Sequence, residues 1–359
     1  MINPMLLEVL NIQSVTYDTE RMAEFIIDKC FELGCSVEYD KGNIYVTKGV
    51  SDTYPCIVSH TDTVHAIIPD SDYMVVSDDN IAMAYDIRKM QPTGVGGDDK
   101  VGIYICLQML KDLDYCKAAF FRDEEHGCLG SAEADMDFFK DCRYVLQCDR
   151  KGNNDFVYNI MGTDLYTPEF YDAIEPILTG YGYSEIAGGL TDVYTLADNG
   201  VGICVANMSC GYYNPHMDDE MINLDDVENC RWMVYTMFTT IIDTFQHKIE
   251  KKKKYNHYGN GFKGYTTYNG AAWDQDVVYS KSDIIKAEEQ DWYGYSKSYK
   301  KNNKEYCTDC YMEFDEDVSN KYSVCPDCLA YYEDDLGWPA VKNSIPNVIG
   351  IRDNYNIPF

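Results

Sequence analysis

Histidine is scarce in this 359-residue chain, with six in all, and tryptophan scarcer still, with four. Basic residues are in short supply as well: thirty Lys and Arg stand against sixty Asp and Glu, a formal charge of −30. An excess of that size repels phosphate backbones and anionic bilayers, which argues against nucleic acid or a membrane surface as partner of the protein body. No apolar run approaches the roughly 20 residues that a bilayer-spanning helix needs. The amino terminus also lacks a basic start followed by a hydrophobic stretch, so a soluble, cytoplasmic, non-secreted protein is expected. A disulfide framework is not indicated either. The fifteen cysteines are odd in number and scattered, several of them inside apolar runs (Cys56, Cys106, Cys148, Cys204), as suits reduced, buried thiols. Hydrophobic residues make up 45% of the chain, enough for a real core, and the length leaves room for one sizeable α/β domain and something smaller.

The scarce histidines fall in informative places. Pro55-Cys56-Ile57-Val58-Ser59-His60-Thr61-Asp62 is an apolar run that stops at hard ligands, the pattern of a buried strand delivering side chains to its carboxyl end. In extended chain His60 and Asp62 leave on the same face, so the carboxylate can hold one ring nitrogen while the other binds a metal. Three acidic ends follow. Gly94-Val95-Gly96-Gly97-Asp98-Asp99-Lys100 turns into a helix, Phe120-Phe121-Arg122-Asp123-Glu124-Glu125 ends a short strand, and Val145-Leu146-Gln147-Cys148-Asp149 ends another. His216 then sits in a Gly/Asn/Pro loop. Each has a plainer reading when taken singly. Asp98 and Asp99 could cap a helix, Glu124 and Glu125 could be a solvated loop, and Asp149 an ordinary strand-end acid. His65 and His126 lie beside these motifs and match no ligand position.

The series Ser59-His60-Thr61-Asp62-Thr63-Val64, Gly97-Asp98-Asp99-Lys100-Val101-Gly102, Asp123-Glu124-Glu125, Asp149, Gly188-Gly189-Leu190-Thr191-Asp192 and His216 resembles, in order, the co-catalytic di-zinc metallopeptidases that include peptidase T, bacterial glutamate carboxypeptidase, aminoacylase and succinyl-diaminopimelate desuccinylase. The resemblance spans residues 1–245 and implies two zinc ions. One would be held by His60, Asp98 and Asp149 and the other by Asp98, Glu125 and His216, with Asp98 shared. It also implies Glu124 as general base acting on water activated between the ions, Asp62 as the residue orienting His60, and Asp99 as a supporting acid. Imidazole and carboxylate are a donor set that zinc accepts, with a position left for water.

The resemblance implies an α/β fold with a mixed, mainly parallel central sheet flanked by helices. Relatives with a lid insert a dimerisation domain between the counterparts of Asp149 and His216. Here His216 follows Asp149 by only 67 positions, so a lidless form is expected. The turn at Gly188 and Gly189, with Asp192, could offer backbone N–H groups to a substrate or simply start a capped helix, and Tyr212 and Tyr213 could line a side-chain pocket. Helical spacing predicts helices over residues 19–34, 168–181 and 224–245, and alternation around Lys41-Gly42 predicts a hairpin. Residues 66–92 read as a polar rim, and a strand is expected over 202–206.

Past residue 248 the composition shifts to Tyr, Gly, Asn, Lys and Ser, a linker over 249–304. Cys307-Thr308-Asp309-Cys310 and Cys325-Pro326-Asp327-Cys328 lie fourteen residues apart, a zinc-ribbon signal over 305–335, with a tail over 336–359. Four thiolates would close that ion's coordination sphere, making it structural. Four lysines against seven acids over 300–330 favour a protein partner over nucleic acid for the ribbon. Together these readings predict an aminopeptidase acting on short peptides. A deacylase or carboxypeptidase on N-acyl amino acids is the nearer alternative, and a non-catalytic scaffold working through the ribbon is the more distant one.

Overall fold

The computed structural model describes residues 2–249, together with two short strands at 304–306 and 313–315. The chain separates into two units, Met1–Lys253 and Lys254–Phe359. Asn3 caps α1 (Pro4–Leu10) by accepting from the Met5 amide at 3.0 Å. The periodic stretch that follows is α2 (Glu20–Glu32), which buries Met22, Ala23, Ile26 and Cys30 and gives way to Gly34 at φ +74°. The predicted hairpin is β1 (Ser36–Asp40) and β2 (Asn43–Lys48), antiparallel, with Lys41 and Gly42 both at positive φ in a two-residue turn.

The run ending in His60 is β3 (Tyr54–His60), buried at every position. The 66–92 stretch, read as a polar rim, carries β4 (Tyr73–Asp78) and β5 (Ile81–Asp86) and the start of β6 (Gln91–Thr93). Only one face of β5 is buried, so its polarity is mixed and no apolar run marks it. Next come α3 (Gly97–Asp112), buried along most of its length, and β7 (Cys116–Phe121). A single turn, α4 (Leu129–Ala132), leads to β8 (Cys142–Gln147).

Residues between Asp149 and His216 form β9 (Asp155–Ile160), β10 (Thr163–Asp164), α5 (Pro168–Tyr181), β11 (Ser184–Gly188), α6 (Asp192–Asp198), β12 (Val205–Met208) and β13 (Tyr212–Tyr213). Thr167 caps α5 and Gly182, at φ +80°, ends it. The strand expected over 202–206 starts three residues later, at Val205. Finally β14 (Met221–Asn223) precedes α7 (Leu224–Thr240), which stops short of the predicted residue 245. The run Thr239-Thr240-Ile241-Ile242 is β-branched and favours extended chain. Beyond it Phe245 bonds to Arg143 of β8 and to Cys204, just before β12, through backbone groups.

Nine strands make the main sheet, ordered β1-β2-β7-β3-β8-β12-β9-β10, with β11 also on β9. Strands β7, β3, β8 and β12 are parallel, and antiparallel partners flank them on both sides. The sheet is therefore mixed with a parallel centre, as expected. A second, five-stranded sheet orders β13-β14-β5-β4 with β6 on β5. It holds the loop carrying His216. Eleven cysteines in the described residues are buried and unbridged, including Cys148 and Cys230 with sulfurs 3.8 Å apart. No helix among the described residues is long and apolar enough to cross a membrane. In the second unit β15 (Lys304–Tyr306) and β16 (Glu313–Asp315) pair antiparallel. The linker, Cys307, Cys310, Cys325, Cys328 and the tail lie outside the described residues.

Candidate metal centre

Three neighbouring parallel strands end at the same edge. β3 delivers His60, β7 leads into Glu124 and Glu125, and β8 leads into Asp149. Such an edge is where open α/β sheets place their chemistry. Asp98 arrives from the start of α3 and His216 from the β13–β14 loop. The five expected ligands converge. His60 Nε2 lies 3.1 Å from Asp98 Oδ1 and 3.7 Å from Asp149 Oδ1, while His216 Nε2 lies 3.3 Å from Asp98 Oδ2 and 3.1 Å from Glu125 Oε1. Asp98 thus presents one oxygen to each imidazole. Glu124 Oε2 is 4.0 Å from His60 Nε2, and its Oε1 accepts from the Cys128 thiol at 3.4 Å.

Donor atoms of His60, Asp98 and Glu125 lie within 4.8 Å of one another, and so do those of His60, Asp99 and Asp149. Asp99 is nevertheless committed elsewhere. Its carboxylate accepts from Ser59 Oγ at 2.6 Å, from the Gly102 amide at 3.1 Å and from the His60 amide at 3.3 Å, tying α3 to the end of β3. A side chain at Gly102 would collide with that carboxylate at 2.3 Å, which is why glycine stands there. Asp99 is a clamp on the ligand strand.

The donors fit cations. His60 Nε2 faces oxygens of three carboxylates and can give a proton to only one. Glu125 Oε1 is buried and has no hydrogen-bond donor, although His216 stands beside it. Burial raises the Glu125 carboxyl to about 7 and pushes Glu124 and Asp149 up as well. Burial also opposes the charge on Asp98, but contacts with His216 and His60 overcome it and hold Asp98 well below the usual range. Against a desolvation that works the other way, Asp98 and Glu125 lift His216 to about 11. A crowd of buried carboxylates that recruits protonated imidazoles as counter-charge is suited to divalent ions.

Asp62 does more than face His60, whose Nδ1 is 3.4 Å from Asp62 Oδ1 and 3.0 Å from the Asp62 carbonyl. It also accepts from the amides of Glu124 at 2.9 Å and Glu125 at 3.3 Å, and from Thr16 Oγ1 at 2.8 Å. One buried carboxylate therefore sets the histidine and the loop carrying both glutamates. Asp149 is braced by Thr191 Oγ1 at 2.8 Å, Gln147 Nε2 at 3.1 Å and Tyr212 Oη at 3.4 Å, while Asn207 grips its backbone on both sides.

The residues expected near substrate are placed as follows. Asp192 is sealed from solvent and accepts from Gln147 at 3.3 Å, with burial raising its carboxyl to about 7, and it opens α6 beside the residues that brace Asp149. Tyr213 donates to Asp226 at 2.6 Å. Tyr212 is 2% exposed and points to Asp149. Gly188 ends β11 packed on Val157, and Gly189 follows it half-buried. His126 is exposed and His65 is not at the cluster.

Glu220, which no sequence motif marks, is fully buried and accepts from the Gly96 amide at 2.6 Å, the Asp98 amide at 3.1 Å and His65 Nε2 at 2.9 Å. Gly96, at φ +70°, allows the turn that aims these amides. Glu220 thereby fixes the backbone under Asp98. Its signal in the sequence is faint, because its partners are main-chain groups that any residue supplies. Glu220→Ala would strand those donors, at about 2–5 kcal/mol. The expected result is a lowered denaturant midpoint with impaired metal retention, and an unchanged midpoint would contradict the role.

No protein-family model matches the sequence, and no curated protein does. The fold, however, is similar to that of solved aminopeptidase and tripeptidase structures. Over 66% of this chain and 96% of its own, the aminopeptidase PepT from Bacillus cereus superposes with a TM-score of 0.54 at 14% identity. A tripeptidase from Staphylococcus aureus covers 65% of this chain and 96% of its own at 0.53 and 15%. A TET aminopeptidase from a marine-sediment thaumarchaeote covers 67% and 96% at 0.54 and 11%.

Proposed function

We propose that the protein is a metal-dependent aminopeptidase acting on short peptides, with two zinc ions held by His60, Asp98 and Asp149 and by Asp98, Glu125 and His216. The observation that carries this reading is the convergence of five ligand-type side chains on Asp98 with Glu124 beside them. Ions bound there would lower the pKa of water enough to supply hydroxide near neutral pH. Glu124 takes the proton of the attacking water and hands it to the leaving amine. Its raised pKa suits a group that must both accept and release a proton. Cys128 steadies one of its oxygens and Asp62 fixes its backbone.

The charge around the site favours a free amine over a free carboxylate as the recognised end of the substrate. Among the described residues, Arg21, Arg88, Arg122, Arg150 and Arg231 each lie within 4.0 Å of a carboxylate of the protein. Arg143, at the start of β8, is at the far end of that strand from Asp149. Among the described residues every arginine but Arg143 already faces a carboxylate of the protein, which disfavours bidentate capture of a substrate α-carboxylate, whereas acids are plentiful. Support for a lidless form comes from the path between Asp149 and His216, where the strands join the two sheets already described. Eleven unbridged buried thiols suit a reducing, cytoplasmic setting. We assign residues 1–248 to catalysis, 249–304 to a linker, and 305–335 to a ribbon whose Cys307, Cys310, Cys325 and Cys328 hold a structural zinc and offer a protein-docking surface.

A panel of free-amine and N-acyl dipeptides with matched side chains tests this. Free-amine peptides are expected to be cleaved at least about tenfold faster in kcat/KM, since leaving one buried polar group unpaired costs about 1–3 kcal/mol. Faster cleavage of the N-acyl series would move the assignment to a deacylase or carboxypeptidase.

A further inference from the structure

Tyr17 is a large aromatic residue at φ +70°, a conformation that bulky side chains rarely adopt. It is also 66% exposed, so packing in the core does not account for it. Several bonds hold the turn in place. Val15 and Asp18 close it through backbone bonds of 3.3 and 2.7 Å, and the Thr16 amide donates to the Thr63 carbonyl at 3.2 Å. Thr16 Oγ1 donates to Asp62 at 2.8 Å, and the Tyr17 amide donates to Asp123 Oδ1 at 2.8 Å. Asp62 lies two residues past His60 at the end of β3, and Asp123 precedes Glu124 in the loop after β7. The turn is thus bolted to the ligand and base loops together, and it carries the tyrosine ring to within 5.2 Å of the ring of His126, the residue following Glu125.

Other exposed apolar side chains are close in sequence to the site residues. Val64 is 40% exposed two positions past Asp62, Met217 is 58% exposed following His216, and Leu190 is 40% exposed preceding Thr191, which bonds Asp149.

Building on the aminopeptidase reading, we propose that the enzyme selects peptides whose amino-terminal residue is large and apolar, and that the Tyr17 ring, backed by His126, is a wall of the pocket for that side chain. The residue whose carbonyl is attacked carries its side chain one bond from the α-carbon. In the proposed arrangement that side chain lies against the turn that is bonded to Asp62 and Asp123. A tyrosine ring supplies a rigid face at low entropic cost.

The test uses the full chain with its metals, comparing anilides of Leu, Phe, Met, Ala, Glu and Lys. Wild type is expected to prefer Leu, Phe and Met over Ala and Glu by about tenfold or more in kcat/KM, the worth of one or two buried methylenes. Tyr17→Ser should lower kcat/KM for Leu and Phe about tenfold, mainly through KM, and leave Ala within about twofold. Tyr17→Phe should behave as wild type. Metal content and the thermal midpoint, measured on the same samples, are expected to be unchanged in Tyr17→Ser. A wild-type preference for Glu or Lys, or an equal loss on every substrate in Tyr17→Ser, overturns the assignment of Tyr17 while leaving the aminopeptidase reading intact. A wild-type protein inert on all six anilides but active on N-acyl peptides overturns both.

Discussion

Glu124→Gln is expected to reduce kcat by on the order of 10³–10⁴-fold, with metal content equal to that of the wild type. The substitution keeps the shape of the side chain and the contact from Cys128, since an amide oxygen still accepts from that thiol. What it removes is the capacity to take a proton. None of the bonds that hold the ligands runs through the Glu124 carboxylate: Asp62 reaches its backbone amide, and the histidines have Asp98, Asp149 and Glu125 at shorter distances. Loss of turnover with the ions still in place is therefore the signature of a base. Loss of turnover together with the ions would make Glu124 a ligand, and retained turnover would remove it from the chemistry. A rapid-quench comparison of wild type and variant on one free-amine dipeptide, with metal analysis of the same samples, distinguishes these outcomes.

Asp98→Ala is expected to have a comparably large effect for a different reason. Its carboxylate faces both His60 and His216, one oxygen to each, at 3.1 and 3.3 Å. Removing them takes a ligand from both proposed ions at once and leaves two imidazoles without their shared counter-charge. The expected outcome is loss of both body ions and activity below detection, with any ion bound by the ribbon cysteines retained. Asp98→Asn should follow the same course, because an amide keeps the volume and supplies no charge. If either variant keeps the wild-type metal content, Asp98 does not bridge. Because Glu220 fixes the backbone below this residue, Glu220→Ala should resemble a weaker version of Asp98→Ala.

The parts of the fold that could be read from the sequence are those whose chemistry changes abruptly along the chain. His60, Glu125 and Asp149 each stand at or just past the end of a strand buried at every position, so the switch from apolar to hard ligand is visible in one line of letters. The hairpin at Lys41 and Gly42 and the glycine after α2 were readable because positive φ restricts residue type. The second sheet was not, since β4 and β5 bury one face or less and look like mixed loop. Its consequence is functional, because that sheet positions His216. Glu220, Asn207 and Gln147 escaped notice for a related reason: they act by holding backbone or by bracing another acid, and spacing along the chain does not encode either task. The glycine-rich turn before Asp192 reads equally as a substrate contact or as a helix start, and α6 does begin at Asp192, which is buried against Gln147.

The central claim is that Asp98 joins two ions between His60 with Asp149 on one side and Glu125 with His216 on the other. Diffraction from crystals of the zinc-loaded full chain, collected on both sides of the zinc absorption edge, tests it most directly. The account predicts two anomalous peaks flanking the Asp98 carboxylate, one beside His60 and one beside His216. A single peak, or density placed away from these five side chains, would contradict it.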